Sequence, residues 1–213
     1  MVERSKGRYG TASVVAALAF FAVAHMAAAT EFAVKPGGKN KVVFVSKAPI
    51  EAFEGKTNRL EGSLSIDPAA VGDSFNVHLE VDMASLDTGI AKRNQHMREN
   101  HLETSKYPKA VFDGVKVLGP AGGKLEPGKS ATFDVEGTFT LHGVSRRLRI
   151  KADATYTAGA AGGSIAFQTT FPVSLPDYNI SRPQFLFMKL AETQEVHISG
   201  VAVAVPAAPT ASH

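Results

Sequence analysis

Residues 74–83 read Ser-Phe-Asn-Val-His-Leu-Glu-Val-Asp-Met, and this stretch decides the fold. Phe75, Val77, Leu79, Val81 and Met83 alternate with Asn76, His78, Glu80 and Asp82. A period of two sends the apolar side chains to one face of a strand and the polar ones to the other. Such writing suits an antiparallel sheet with one dry face and one wet face, and not a parallel sheet buried on both. The same alternation returns in Thr132–Leu141, where Phe133, Val135, Gly137, Phe139 and Leu141 share a face. It returns again in Arg147–Tyr156 through Leu148 and Ile150, and in Ile165–Val173 through Phe167 and Phe171. Lys41–Ser46, Lys109–Leu118, Phe185–Leu190 and Val196–Val205 add further strands. Pro49–Gly55 and Leu60–Asp67 read as the arms of a hairpin around Lys56–Arg59. His142-Gly143 fits a tight turn between two long strands, with glycine supplying a positive φ. About eight to ten strands in this style make a barrel or a sandwich, and periodicity does not separate the two.

The alternation is interrupted once. Leu86–Tyr107 carries Arg93, Asn94, His96, Arg98, Glu99 and His101 among sparse apolar residues, and Asp87 or Thr88 is placed to cap a short helix. Tyr107-Pro108 ends the excursion, because a residue before proline avoids helical backbone.

The N-terminus has the pattern of a secretory signal peptide. Arg4, Lys6 and Arg8 precede an apolar run from Ala12 to Ala24, and small residues follow up to Ala29. The run is shorter than the roughly 20 residues that span a bilayer. Residues 1–29 are therefore expected to be removed, which leaves no membrane-spanning segment and places the mature chain in the periplasm or outside the cell. Its domain is expected over residues 30–205. The Pro/Ala-rich stretch 206–213 reads as a disordered tail. Removal leaves 184 of the 213 residues, with 20 basic and 19 acidic side chains. That near-neutral balance gives no case for nucleic acid as a partner. Cysteine is absent, which excludes thiol catalysis and cysteine-bound metal centres.

In order, LEGSLSIDPAA (60–70), SFNVHLEVDMASLDTG (74–89), RNQHMRENHLETSKYPKAVF (93–112), GTFTLHGVSRRLRI (137–150) and DYNISRP (177–183) resemble the YceI-like family. The resemblance runs from about Ala33 to Val205. It implies an all-β fold, an extended antiparallel lipocalin-like β-barrel, here with one short helix near the barrel mouth. It also implies a secreted or periplasmic protein that holds a polyisoprenoid, or an isoprenoid-quinone-like lipid, inside the barrel. No covalent cofactor is implied, and a homodimer is plausible on the same ground.

Strand parity nominates the inward residues Leu64, Ile66, Phe75, Val77, Leu79, Val81, Phe133, Phe139, Ile150, Phe167 and Phe171, together with Phe112 and Met188. Each can serve as packed core or as ligand wall. Arg93 and His101, with His96 and Arg98, are either mouth groups for a polar headgroup or a solvated helix face. His96 and His101 are five apart, poorly placed on one helical face, and lack a third metal ligand. His78 and His197 fall on outward faces, and His142 in a turn. The sequence holds no Gly-x-Ser-x-Gly elbow, His-Glu-x-x-His pair or phosphate loop. Binding without catalysis is the expected function. A hydrolase with a dispersed triad, or a scaffold binding protein through a sheet edge, are the alternatives.

Overall fold

The computed structural model describes residues 29–47, 52–72, 74–118, 123–160, 162–182, 184–185 and 188–206. The signal-peptide reading of residues 1–28 and the tail reading of 207–213 therefore lie outside the described residues. The alternating segments form strands β1 (Thr30–Val34), β2 (Lys41–Lys47), β3 (Ala52–Thr57), β4 (Leu60–Ile66), β5 (Asn76–Asp82), β6 (Lys109–Val117), β7 (Ser130–Leu141), β8 (Val144–Thr157) and β9 (Ser164–Ser174). β10 (Gln184–Phe185) and β11 (Met188–Lys189) pair with each other, and β12 (Thr193–Ala204) is the last strand.

All neighbours in the large sheet are antiparallel, in the order β1-β4-β5-β6-β7-β8-β9-β12. β1 also pairs with β12, through Phe32 opposite Ala204 and Ala33 opposite Val203. Eight strands thus close into a barrel, as the resemblance implied and as the alternation alone left open. β2 and β3 extend one side of it, with β2 on β12 and β3 on β2. The hairpin expected around Lys56–Arg59 does not form. β3 turns back on β2, while β4 pairs with β1 and β5, so the two arms follow each other along one side of the barrel instead of facing each other. β1 carries no strand signal of its own, because its five residues TEFAV are too short to show a period.

The parity is that of a barrel with a dry interior. Phe32, Leu60 and Ile165 are fully buried, and the outer face carries paired charges. On that face Lys109 donates to Glu61 (2.6 Å) and to Glu80. At the bulge between Gly114 and Lys116 the β6 ladder shifts register, and the extra residue, Val115, is turned out to solvent.

The excursion predicted as a short helix is α1 (Ala91–His96), continued by a wider turn over Met97–His101 in which Leu102 N–H bonds to Met97 O. Thr88 and Asp87 do not cap it as expected. Asn94 reaches back instead: its Oδ1 accepts from Thr88 N–H (2.8 Å) and Oγ1–H (2.7 Å), and its Nδ2 donates to Asp87 Oδ1 (2.6 Å). Strand directions put this helical segment and the turn Pro176–Tyr178 at one end of the barrel, here the helical end. The turns after β4, β6 and β8 lie at the opposite end.

His78 points outward as expected and is bracketed by Asp113 (2.7 Å) and Glu80 (3.2 Å). The hydrogen bond to Asp113 holds its imidazolium above the usual value of 6.5. A raised histidine stabilises the fold fully below its unfolded pKa and loses that contribution as pH climbs through the folded one. Melting temperature is therefore expected to fall as pH rises from below 6.5 to above the raised value. In Asp113→Asn, proton NMR titration of His78 should return towards the ordinary value, and the pH trend in melting temperature should flatten.

Candidate functional site: an apolar cavity inside the barrel

A cavity of about 100 Å³ runs between the inward faces of the strands. Its wall takes Leu64 and Ile66 from β4, Val77, Leu79 and Val81 from β5 with Phe75 just before it, and Phe112 from β6. Phe133 and Phe139 come from β7, Ile150 from β8, and Phe167 and Phe171 from β9. Twelve of the thirteen residues nominated by parity therefore meet in one space. The side chain of the thirteenth, Met188, lies outside the described residues. Leu60, Val135, Ile165 and Ile198 also line the cavity, and the same alternation would have found them. Val71 lines it from a turn, where no periodicity could point to it.

The wall is almost free of polar atoms. Thr169 contributes to it, but its hydroxyl donates to Lys151 O at 2.7 Å. Inward glycines create the space. A methyl group added at Gly137 would lie 2.8 Å from Phe112 Cζ, and one at Gly200 would lie 2.7 Å from Phe167 Cζ. The two rings thus lie flat over glycine backbone and leave the middle of the barrel open. At the helical end Phe139 packs edge-on against Phe171 (5.7 Å between centroids) and Tyr178 (5.5 Å), which forms an aromatic floor.

Arg93 and His101 do not reach this cavity. Arg93 donates to Thr88 Oγ1 and O, both at 2.8 Å, and its guanidinium stacks on Phe53 at 4.2 Å. His101 Nδ1 faces Ser181 O (3.1 Å) and Oγ (3.0 Å), and burial lowers its pKa. Both side chains hold the helical segment in place. Among the described residues, no group of three or more His, Asp or Glu side chains is arranged to hold a metal ion. Nor is any helix long and apolar enough to cross a membrane.

The helical end is secured by one residue the sequence marked only as a turn. His142 has φ +52° and Gly143 +74°, the two left-handed positions of a tight hairpin. The buried His142 ring meets Tyr178 O through Nδ1 (3.1 Å) and Glu103 Oε2 through Nε2 (2.8 Å). A carbonyl oxygen can only accept, so Nδ1 carries a hydrogen here. Glu103 (φ +43°) and Asn179 (φ +55°) are the other two non-glycine residues with positive φ among the described residues. Tyr107 packs against the imidazole at a tilt of 60°, with centroids 4.4 Å apart.

A closed eight-strand barrel either fills its interior with its own side chains or leaves room for one small guest, and here the apolar interior is partly open. The chain belongs to the YceI-like family: the YceI-like domain model matches residues 32–202. Among relatives, a UPF0312 protein of Vibrio parahaemolyticus is 31% identical over 160 residues, covering 74% of this chain and 78% of the relative. A UPF0312 protein of Vibrio cholerae is also 31% identical, over 153 residues and 74% of its own length. Two solved structures share the fold. A polyisoprenoid binding domain from Saccharophagus degradans, implicated in plant cell wall breakdown, superposes with TM-score 0.64 at 20% identity, over 83% of this chain and 99% of that one. BcnA of Burkholderia cenocepacia does so with TM-score 0.63 at 22% identity, over 78% and 97%.

If His142 ties the helical segment to the barrel, His142→Ala should destabilise the protein by about 1.5–3 kcal/mol, the range for hydrogen bonds to charged groups. His142→Asn tolerates left-handed backbone and should cost less. Urea unfolding of the two variants and the parent measures both.

Proposed function

We propose that this chain is an exported binding protein that holds a polyisoprenoid or a related amphiphilic lipid in its barrel cavity. The observation that carries the reading is the cavity itself, with twelve parity-selected apolar side chains around one space. A prenyl chain offers no directional chemistry, and this wall asks for none. Each buried methylene-like carbon is worth about 0.8 kcal/mol, so a five-carbon isoprene unit gains about 3–4 kcal/mol of transfer free energy. Ordering and association costs take back a large part of that. The small volume of the space, about 100 Å³, favours a thin, flexible chain over a rigid, wide ligand. The neighbour from Saccharophagus degradans, a polyisoprenoid binding domain, supports the same ligand class.

Export rests on Arg4, Lys6 and Arg8 ahead of the apolar run Ala12–Ala24. The mature domain is taken as residues 30–205. N-terminal sequencing of protein recovered from the periplasm tests the cleavage after Ala29.

Leu79 lines the cavity, while Asn76, three residues earlier on the same strand, is exposed on the outer face. Native mass spectrometry before and after organic extraction should find a lipid on the parent protein and on Asn76→Arg. Leu79→Arg should carry none, because it turns a charge into the dry interior. Lipid retained equally by both variants, or absent from the parent, overturns the reading.

A further inference from the structure

Among the described residues, three buried side-chain polar atoms have no hydrogen-bond partner: Ser46 Oγ, Ser74 Oγ and Gln194 Oε1. Two of them are neighbours. Glu195 of β12 stands opposite Val45 of β2, so the next step along the antiparallel ladder brings Gln194 opposite Ser46. Val196 and Phe44, two residues back on each strand, face each other and pack against the core. Gln194 and Ser46 therefore point to the same interior side. Ser46 is 1% exposed and Gln194 7%. The Gln194 amide is not free to turn, because its Nε2 donates to Ala191 O at 2.7 Å, and this fixes where Oε1 points.

Neither residue belongs to the cavity wall itself; the pair lies beyond it along β12. Val196 is opposite Phe171, a cavity residue, so Gln194 and Ser46 sit one pleat further along β12, about 7 Å, towards the helical end. Leaving buried polar atoms bare on two facing residues is costly, and such atoms mark a missing partner. The partner must suit both. Gln194 Oε1 can only accept, so the guest must donate; the Ser46 hydroxyl can donate, so the guest can also accept. A single hydroxyl group does both at once. A quinone carbonyl accepts only and would leave Gln194 Oε1 bare. A diphosphate is acceptor-rich and would bring ionic charge against the carboxamide oxygen in a buried setting.

We infer that Ser46 and Gln194 form the headgroup site for a prenyl alcohol, whose tail lies in the cavity. The inference rests on the proposed function and adds the chemistry of the head. Displacement of cavity-bound N-phenylnaphthylamine by geranylgeraniol, its methyl ether and its diphosphate tests it. The ether accepts but cannot donate. The parent protein should bind the alcohol about tenfold more tightly than the ether, one hydrogen bond's worth, with the diphosphate weakest. Ser46→Ala removes a hydroxyl that bonds no described residue, so its melting temperature should hold while the alcohol-to-ether ratio falls to about twofold. Gln194→Met should lower the ratio likewise. Equal affinity of the parent for alcohol and ether overturns the inference and leaves the pair solvated by water only. A ratio that survives both substitutions overturns it as well. If no prenyl compound displaces the dye, polyisoprenoid binding itself fails and the headgroup site falls with it.

Discussion

Closure of the hydrogen-bond ladder around β12 is the constraint on which the rest depends. One edge of β12 is bonded along its length to β9. The other edge is divided: Glu195–Ser199 pair with β2, and Val203–Ala204 with β1. β1 ends at Val34 and β2 begins at Lys41, so there is a gap where no strand lies beside Val201. The buried Asn40 side chain fills it. Its Oδ1 accepts from Val201 N–H (3.2 Å), and its Nδ2 donates to Lys35 O (2.8 Å) and Leu60 O (3.1 Å). One amide thus joins β12 to β4 across the fork. Without it, backbone groups on three segments would lose partners, the Leu60 carbonyl among them in a buried setting, and water would gain a route to the interior.

A sealed wall does not by itself produce a cavity, since protein interiors usually pack to crystal density. Here the composition of the inward face works against collapse. Large rings at Phe112 and Phe167 are matched with glycines at 137 and 200, so they lie along the wall. An unfilled 100 Å³ space costs about 2.4 kcal/mol at roughly 24 cal/mol per Å³. A guest that fills it returns that cost along with its own transfer energy. Occupancy and stability are therefore linked in this fold, and a guest that binds only the folded state raises the melting temperature by mass action.

The inward face was legible in the sequence because parity is a local property. Once Val77 faces in, Leu79 and Val81 must follow, and the register to Leu64 and Phe112 carries the same face to the next strands. What could not be read depends on which strands meet. The alternation in Leu60–Ile66 is equally compatible with a hairpin to β3 and with the observed pairing to β1 and β5. Asn40 reads as one polar residue in a turn until the fork gives it three partners. The headgroup pair was hidden for the same reason, since Ser46 and Gln194 are far apart in sequence and become neighbours only through the β2–β12 ladder. The contacts of Arg93 and His101 were equally hidden: the sequence shows a dense charged segment, and only the fold brings Phe53 and Ser181 to these two side chains.

The two ends of the barrel are closed by different chemistry. At the end opposite the helix, Val71 N–H bonds to Gly123 O (3.0 Å) and Leu125 N–H to Pro68 O (2.7 Å), with both side chains buried. Those closures are backbone bonds sheltered by apolar contact, and they do not depend on ionisation. At the helical end the decisive contacts are side-chain ones, Glu103 to His142 and His101 to Ser181, around three non-glycine residues held in left-handed backbone. Left-handed backbone at such residues costs free energy that the surrounding contacts must offset. Polar contacts with partly exposed partners belong to the less stable parts of a fold. The helical end is therefore the softer of the two closures, and it is also the end towards which Ser46 and Gln194 lie.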